Sequence, residues 1–115
     1  MLFVEYPPCT TCRKAAKWLE DHGVEFERRH IKEMRPTEAE LREWREKSGL
    51  PLKRFFNTSG QRYRELELKD RLAAMPEQEQ YALLASDGML VKRPILVTED
   101  RVLVGFREKE WAQLL

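Results

Sequence analysis

The sequence predicts one α/β domain whose elements run βαβ, a helical insert, then ββα. Three observations carry that expectation. An apolar run near the N-terminus gives way to a helix-spaced pattern and then to an alternating one. The long middle stretch carries helix caps. Two β-branched runs joined by a charged turn come near the C-terminus.

The first element is "LFVEY", Leu2 to Tyr6. It is short, mostly apolar and bounded by Pro7 and Pro8, as suits a buried strand that ends in a turn. From Thr10 to His22 the spacing becomes helical, with Cys12, Ala15, Ala16 and Leu19 on one face and Gly23 as a C-cap. In "VEFERRHI" the apolar Val24 and Phe26 alternate with charges, which predicts a strand with one face on the core. The insert, about residues 37–90, opens on Thr37-Glu38-Ala39-Glu40. There the threonine and the glutamate can satisfy each other's backbone donors. That helix carries Leu41 and Trp44, shows a solvated face over Arg42 to Lys47, and stops at Gly49. Pro51 opens a short turn through Phe55 and Phe56, which anchor the insert, and "NTSG" (Asn57 to Gly60) reads as a stop. Helices are expected near Lys69 to Ala74 and from Pro76 to Ser86. "PILVT" (Pro94 to Thr98) and "VLVG" (Val102 to Gly105) form a hairpin, and Glu108 to Leu115 a last amphipathic helix.

Length and charge narrow the function. At 115 residues the chain is one domain, 1–115. Its 21 basic and 20 acidic side chains nearly cancel, which argues against direct nucleic-acid binding or an anionic membrane surface. No apolar run reaches the roughly 18 residues of a spanning helix, and "MLFVEY" has no export signal. A cytoplasmic protein is expected. There a cysteine pair reads as redox or metal chemistry rather than a structural disulfide.

The chain has two cysteines, Cys9 and Cys12, as Cys9-Thr10-Thr11-Cys12. Zinc needs about four ligands, and His22 and His30 stand too far apart to complete a site, so no metal is expected. Thiol exchange needs only an attacking thiolate and a second thiol to resolve the mixed disulfide. Cys9 lies beside the unsatisfied amides of a helix start, which favour the thiolate, and Arg13 adds a charge nearby. Cys12, inside the helix, is either the resolving thiol or a small core residue. Pro94, in "KRPI", is either a cis proline at a strand entrance or a trans proline opening an edge strand. Arg93 before it is either an anion clamp or a surface arginine.

Taken together, "YPPCTTCRKA", "FFNTSG", "LLASDGMLVKRPILV" and "LVGFREKEW" resemble the glutaredoxin-like arsenate reductase family, the ArsC/Spx family. The resemblance spans essentially the whole chain and is closest to small CxxC-containing bacterial members. It implies a thioredoxin-like fold with a mixed four-stranded sheet and a helical insert. It also implies that Arg93-Pro94 is cis and faces the active-site cysteine. In the arsenate-reducing branch the catalytic cysteine aligns with Cys9 and the motif arginine with Arg13. Serine usually stands there in place of Cys12. That branch holds its oxyanion with three arginines. One matches Arg93, a second falls on Asn57, and the third falls at about Gly105, with Arg107 two residues on. Each charge-assisted bond is worth about 1.5–3 kcal/mol, so two lost clamps weaken arsenate binding by orders of magnitude.

The regulatory branch uses CxxC as a switch and binds the RNA polymerase α subunit through a glycine. Gly49 lies near the matching position, but its pattern reads first as a helix C-cap. The expectation is therefore a monomeric thiol–disulfide oxidoreductase without a bound cofactor. Cys9 attacks, Cys12 resolves, Arg13 lowers the Cys9 pKa, and Arg93 with the peptide at Pro94 orients the substrate. Thioredoxin, glutaredoxin or glutathione recycles the pair. The alternatives are a polymerase-binding redox regulator and an arsenate reductase with an incomplete clamp.

Overall fold

Residues facing each other across the central strands form rows that alternate between the two sides of one sheet. Strands β1 (Leu2–Glu5), β3 (Ile95–Val97) and β4 (Val102–Val104) are antiparallel neighbours, and β2 (Glu27–His30) runs parallel to β1 at the edge. The order is β2-β1-β3-β4. Phe3 stands opposite Leu96, and Leu96 opposite Leu103. This row packs with Ala15, Ala16 and Leu19 of α1 (Thr10–Asp21) and with Trp111 of α6 (Glu108–Trp111). The next row, Val4, Ile95 and Val104, points the other way, into the insert. A period-two side-chain pattern thus fills two cores from three strands. The computed structural model describes residues 1–114. The last helix is α6 followed by a 3-10 turn over Ala112–Leu114; the predicted end at Leu115 lies outside the described residues.

The second strand differs from the sequence expectation. β2 begins at Glu27, three residues later than the alternation predicts, and none of its residues is buried. The cause is the end of α1. Gly23, at φ 68°, closes a Schellman turn in which Val24 N–H donates to Leu19 O (3.0 Å) and Gly23 N–H to Glu20 O (3.1 Å). The chain cannot enter the sheet until Glu27 N–H reaches Met1 O at 2.8 Å. Val24 and Phe26 pack on the α1 side instead, with the Phe26 ring edge-on to Phe3 at 5.5 Å.

The insert opens with α2 (Glu38–Ser48), and the capping box is present at Thr37 and Glu40. Its charged face is not simply solvated. Arg45 pairs with Glu77 (2.8 Å), and Arg42 bonds Gln78 and lies over the Tyr81 ring, both on α5 (Glu77–Ser86). A 3-10 turn, Leu52–Phe55, leads to a bridge between Phe56 and Val91. Between these segments lie α3 (Gln61–Glu65) and α4 (Leu68–Arg71), the latter continued as a 3-10 turn over Leu72–Ala74. The sequence does not predict α3. Five residues are too few to show a period, and its one buried side chain, Tyr63, is held by Phe56 from outside the helix. Among the described residues no helix is long and apolar enough to cross a membrane.

Candidate active site

β1 delivers the chain into a proline turn, and the turn sets Cys9 at the start of α1. The Cys9 amide donates to Tyr6 O at 2.9 Å across Pro7 and Pro8. Cys9 takes extended backbone angles as the N-cap, and Arg13 N–H makes the first helical bond back to Cys9 O at 3.1 Å. No side-chain cap bond of ordinary geometry closes on the helix. The Thr11 and Cys12 amides nevertheless favour the Cys9 thiolate.

Half-burial alone raises the Cys9 pKa. The Cys12 amide and thiol, the Thr11 amide and the Arg93 charge together outweigh it, so the pKa falls below the ordinary value. The first turn of α1 carries no acidic residue to oppose this. Cys12 is in the reverse position. It is fully buried, and Tyr6 N–H approaches its sulfur at 3.5 Å. Burial pushes its pKa up to about 12, and the neighbouring Cys9 charge adds to the rise. Both cysteines are free thiols. The site therefore holds one thiol tuned toward its anion and one held protonated behind it.

The sequence suggests Arg13 as the cation acting on Cys9, and the structure adds Arg93. Arg13 is exposed and its Nε donates to Pro7 O at 3.0 Å. Among the largest influences on the Cys9 pKa the one cation is Arg93. Arg93 is held from two sides. Nη1 donates to Met89 O at 3.2 Å, and its guanidinium lies over the Tyr6 ring at 5.1 Å. The Arg93-Pro94 bond is cis. The Pro94 carbonyl accepts the Gly105 amide at 2.8 Å, which ties the cis turn to the end of β4.

Cys9 opens onto a cleft of about 700 Å³. Asn57, Arg93 and Arg107 line it, and Arg13 does not. Asn57 is mostly buried and serves its own turn: it donates from N–H to Leu90 O (2.7 Å), and its Oδ1 accepts from the Ser59 hydroxyl (3.3 Å). Gly105 has φ 77° and presents no side chain; Arg107, at the start of α6, is exposed. Gly49 lies away from the cleft. It is exposed, left-handed at φ 69°, and donates to Arg45 O at 3.1 Å as the α2 C-cap. Lys53, Arg54 and Lys92 also line the cleft, and sequence reasoning passed over them. Their signal was two basic pairs, Lys53-Arg54 and Lys92-Arg93, each beside an anchoring apolar segment.

The strand order, the cis proline and the N-cap thiol define a thioredoxin-like α/β protein. A sequence model of the ArsC family matches residues 4–114, and the chain belongs to the ArsC family. It is 55% identical over 113 residues to the uncharacterized protein YusI of Bacillus subtilis, covering 98% of this chain and 96% of that one. It is 32% identical over 114 residues to the regulatory protein MgsR of the same species, covering 99% and 89% respectively. A crystal structure of an ArsC family related protein from Bacteroides fragilis superposes with a TM-score of 0.97 at 54% identity, covering 99% of this chain and 96% of its own.

Proposed function

We propose that this protein is a thiol–disulfide oxidoreductase with Cys9 as nucleophile and Cys12 as resolving thiol. One observation carries the reading. The Cys9 sulfur sits at a helix start, where amides and the Arg93 charge favour its thiolate, on an open cleft with a protonated thiol behind it. The Cys9 thiolate attacks one sulfur of a disulfide R–S–S–R, forming Cys9–S–S–R and releasing R–S⁻. Cys12 then gives up its proton to solvent and attacks the Cys9 sulfur. The second R–S⁻ leaves and a Cys9–Cys12 disulfide remains. An external thiol (glutathione, glutaredoxin or thioredoxin) reduces it. Asn57 and Gly105 leave the oxyanion clamp incomplete, which favours a disulfide over arsenate as substrate.

The test is to replace each cysteine by serine. Cys9→Ser abolishes disulfide exchange. Cys12→Ser keeps the first step and accumulates a mixed disulfide, visible as a mass increase. Full exchange by Cys9→Ser would overturn the assignment of nucleophile, and absence of any trapped adduct would overturn the role of Cys12.

A second reading is a redox-switched regulator that binds the RNA polymerase α subunit. The kinship with MgsR supports it, as does Gly49, around which no atom lies within 4 Å of an added Cβ. The surface there is open to a partner.

A further inference from the structure

The chain as a whole is nearly neutral, with 21 basic and 20 acidic side chains. The cleft beside Cys9 is not. Lys53, Arg54, Lys92, Arg93 and Arg107 line it, and no aspartate or glutamate does. They come from three separate segments: the 3-10 turn that follows α2, the approach to β3, and the start of α6. Among the described residues none of the five is paired with a carboxylate, whereas Arg28, Arg29, Arg42, Arg45 and Arg62 all are. The opposite end of the sheet has the opposite sign. Glu25, Glu27 and Glu99 line a hollow beside Met1 and Val97. Unpaired like charges gathered in a cleft raise the local concentration of counter-charged solutes.

Size and shape narrow the occupant. A cleft of about 700 Å³ is on the scale of a small organic molecule, far larger than one tetrahedral oxyanion. Gly105 contributes to the room. A Cβ there would lie 3.5 Å from Lys92 Cε, so the missing side chain leaves space along the lysine stem. We propose that the cleft selects low-molecular-mass disulfides that carry carboxylates, with Lys53, Arg54, Lys92 and Arg107 as the residues that read the charge. This rests on Cys9 being the nucleophile. In the step concerned, the Cys9 thiolate sulfur bonds to one substrate sulfur, the substrate S–S bond breaks, and the electron pair leaves on the second sulfur as a carboxylate-bearing thiolate.

The experiment compares three disulfides on the reduced protein at neutral pH: dithiobis(nitrobenzoate), a dianion; dipyridyl disulfide, which is neutral; and cystamine, a dication. Each rate is divided by that of mercaptoethanol with the same reagent, which removes intrinsic reactivity. The normalised order is dianion, neutral, dication, with at least about tenfold between the extremes at low salt. The spread shrinks between about 0.01 M and about 1 M salt, as the screening length falls from about 30 Å to about 3 Å. A variant combining Lys53→Gln, Arg54→Gln and Lys92→Gln narrows the spread. Lys92→Gln alone does so in part, should the combined variant fail to fold. Reaction with the neutral reagent but no charge order overturns the proposal and leaves the nucleophile standing. No reaction with any reagent overturns both. Protection of Cys9 by arsenate beyond that given by chloride at equal ionic strength makes the cleft an oxyanion site and overturns the disulfide selectivity.

Discussion

Cys9 and Cys12 are three positions apart, yet their surroundings drive their protons in opposite directions. Cys9 is half-buried, and the helix-start amides and Arg93 favour its anion; Cys12 is enclosed in the core, where the anion is disfavoured. This has a consequence for stability. An acid whose folded pKa is raised holds its proton more tightly in the folded state. Cys12 therefore contributes stability in full below its ordinary value of 9.0 and loses it as pH climbs toward about 12. Urea midpoints of wild type and Cys12→Ala, measured from about pH 8 to about pH 11, should draw together as the wild type loses this contribution. A constant difference across that range contradicts the buried, protonated thiol. The pair itself was legible in the sequence, because two intervening residues at a strand-to-helix junction are a local pattern. The charge that Arg93 brings to Cys9 was not. Arg13 is adjacent in sequence but bonded to Pro7 O, while Arg93 reaches Cys9 only because β3 lies beside β1.

At the scale of elements, α2 shows what a local signal can fix. Thr37 Oγ1 accepts from Glu40 N–H at 3.1 Å, and Glu40 Oε1 accepts from Thr37 N–H at 3.0 Å. Glu40 also takes two bonds from Arg29 of β2, at 2.6 and 2.9 Å, and these hold its carboxyl below the usual range. The capping box was readable from four consecutive residues; the clasp to β2 was not, since it joins residues eleven apart through the fold. The other end of α2 carries a test. Gly49 holds a left-handed angle that an L side chain adopts at a cost of about 1 kcal/mol, with no steric contact to add to it. Gly49→Arg should lower the urea-derived stability by about that amount and leave the fold intact. If the regulatory reading holds, it also abolishes capture by the polymerase α C-terminal domain. Capture unchanged by Gly49→Arg, or no capture in either redox state, removes that reading. α3 marks the limit of local reading, because its place is set by Tyr63 against Phe56.

The whole molecule separates its duties by face and by end. One side of the sheet packs on α1 and α6, the other on the insert, and the Cys9 end opens onto the cationic cleft. The βαβ and ββα halves were legible from periodicity, since alternation and helical spacing are properties of single segments. The cleft was not, because its walls come from segments spread along the chain from Cys9 to Arg107, two of which are joined by the bridge between Phe56 and Val91. All of the chemistry assigned to that cleft depends on the ionisation of one sulfur. The most direct measurement is the rate of Cys9 alkylation by iodoacetamide as a function of pH, in the wild type and in Arg93→Gln. The expected result is a single titration with its midpoint below 9.0 in the wild type, moved upward in the variant. A wild-type midpoint at or above 9.0 contradicts the account.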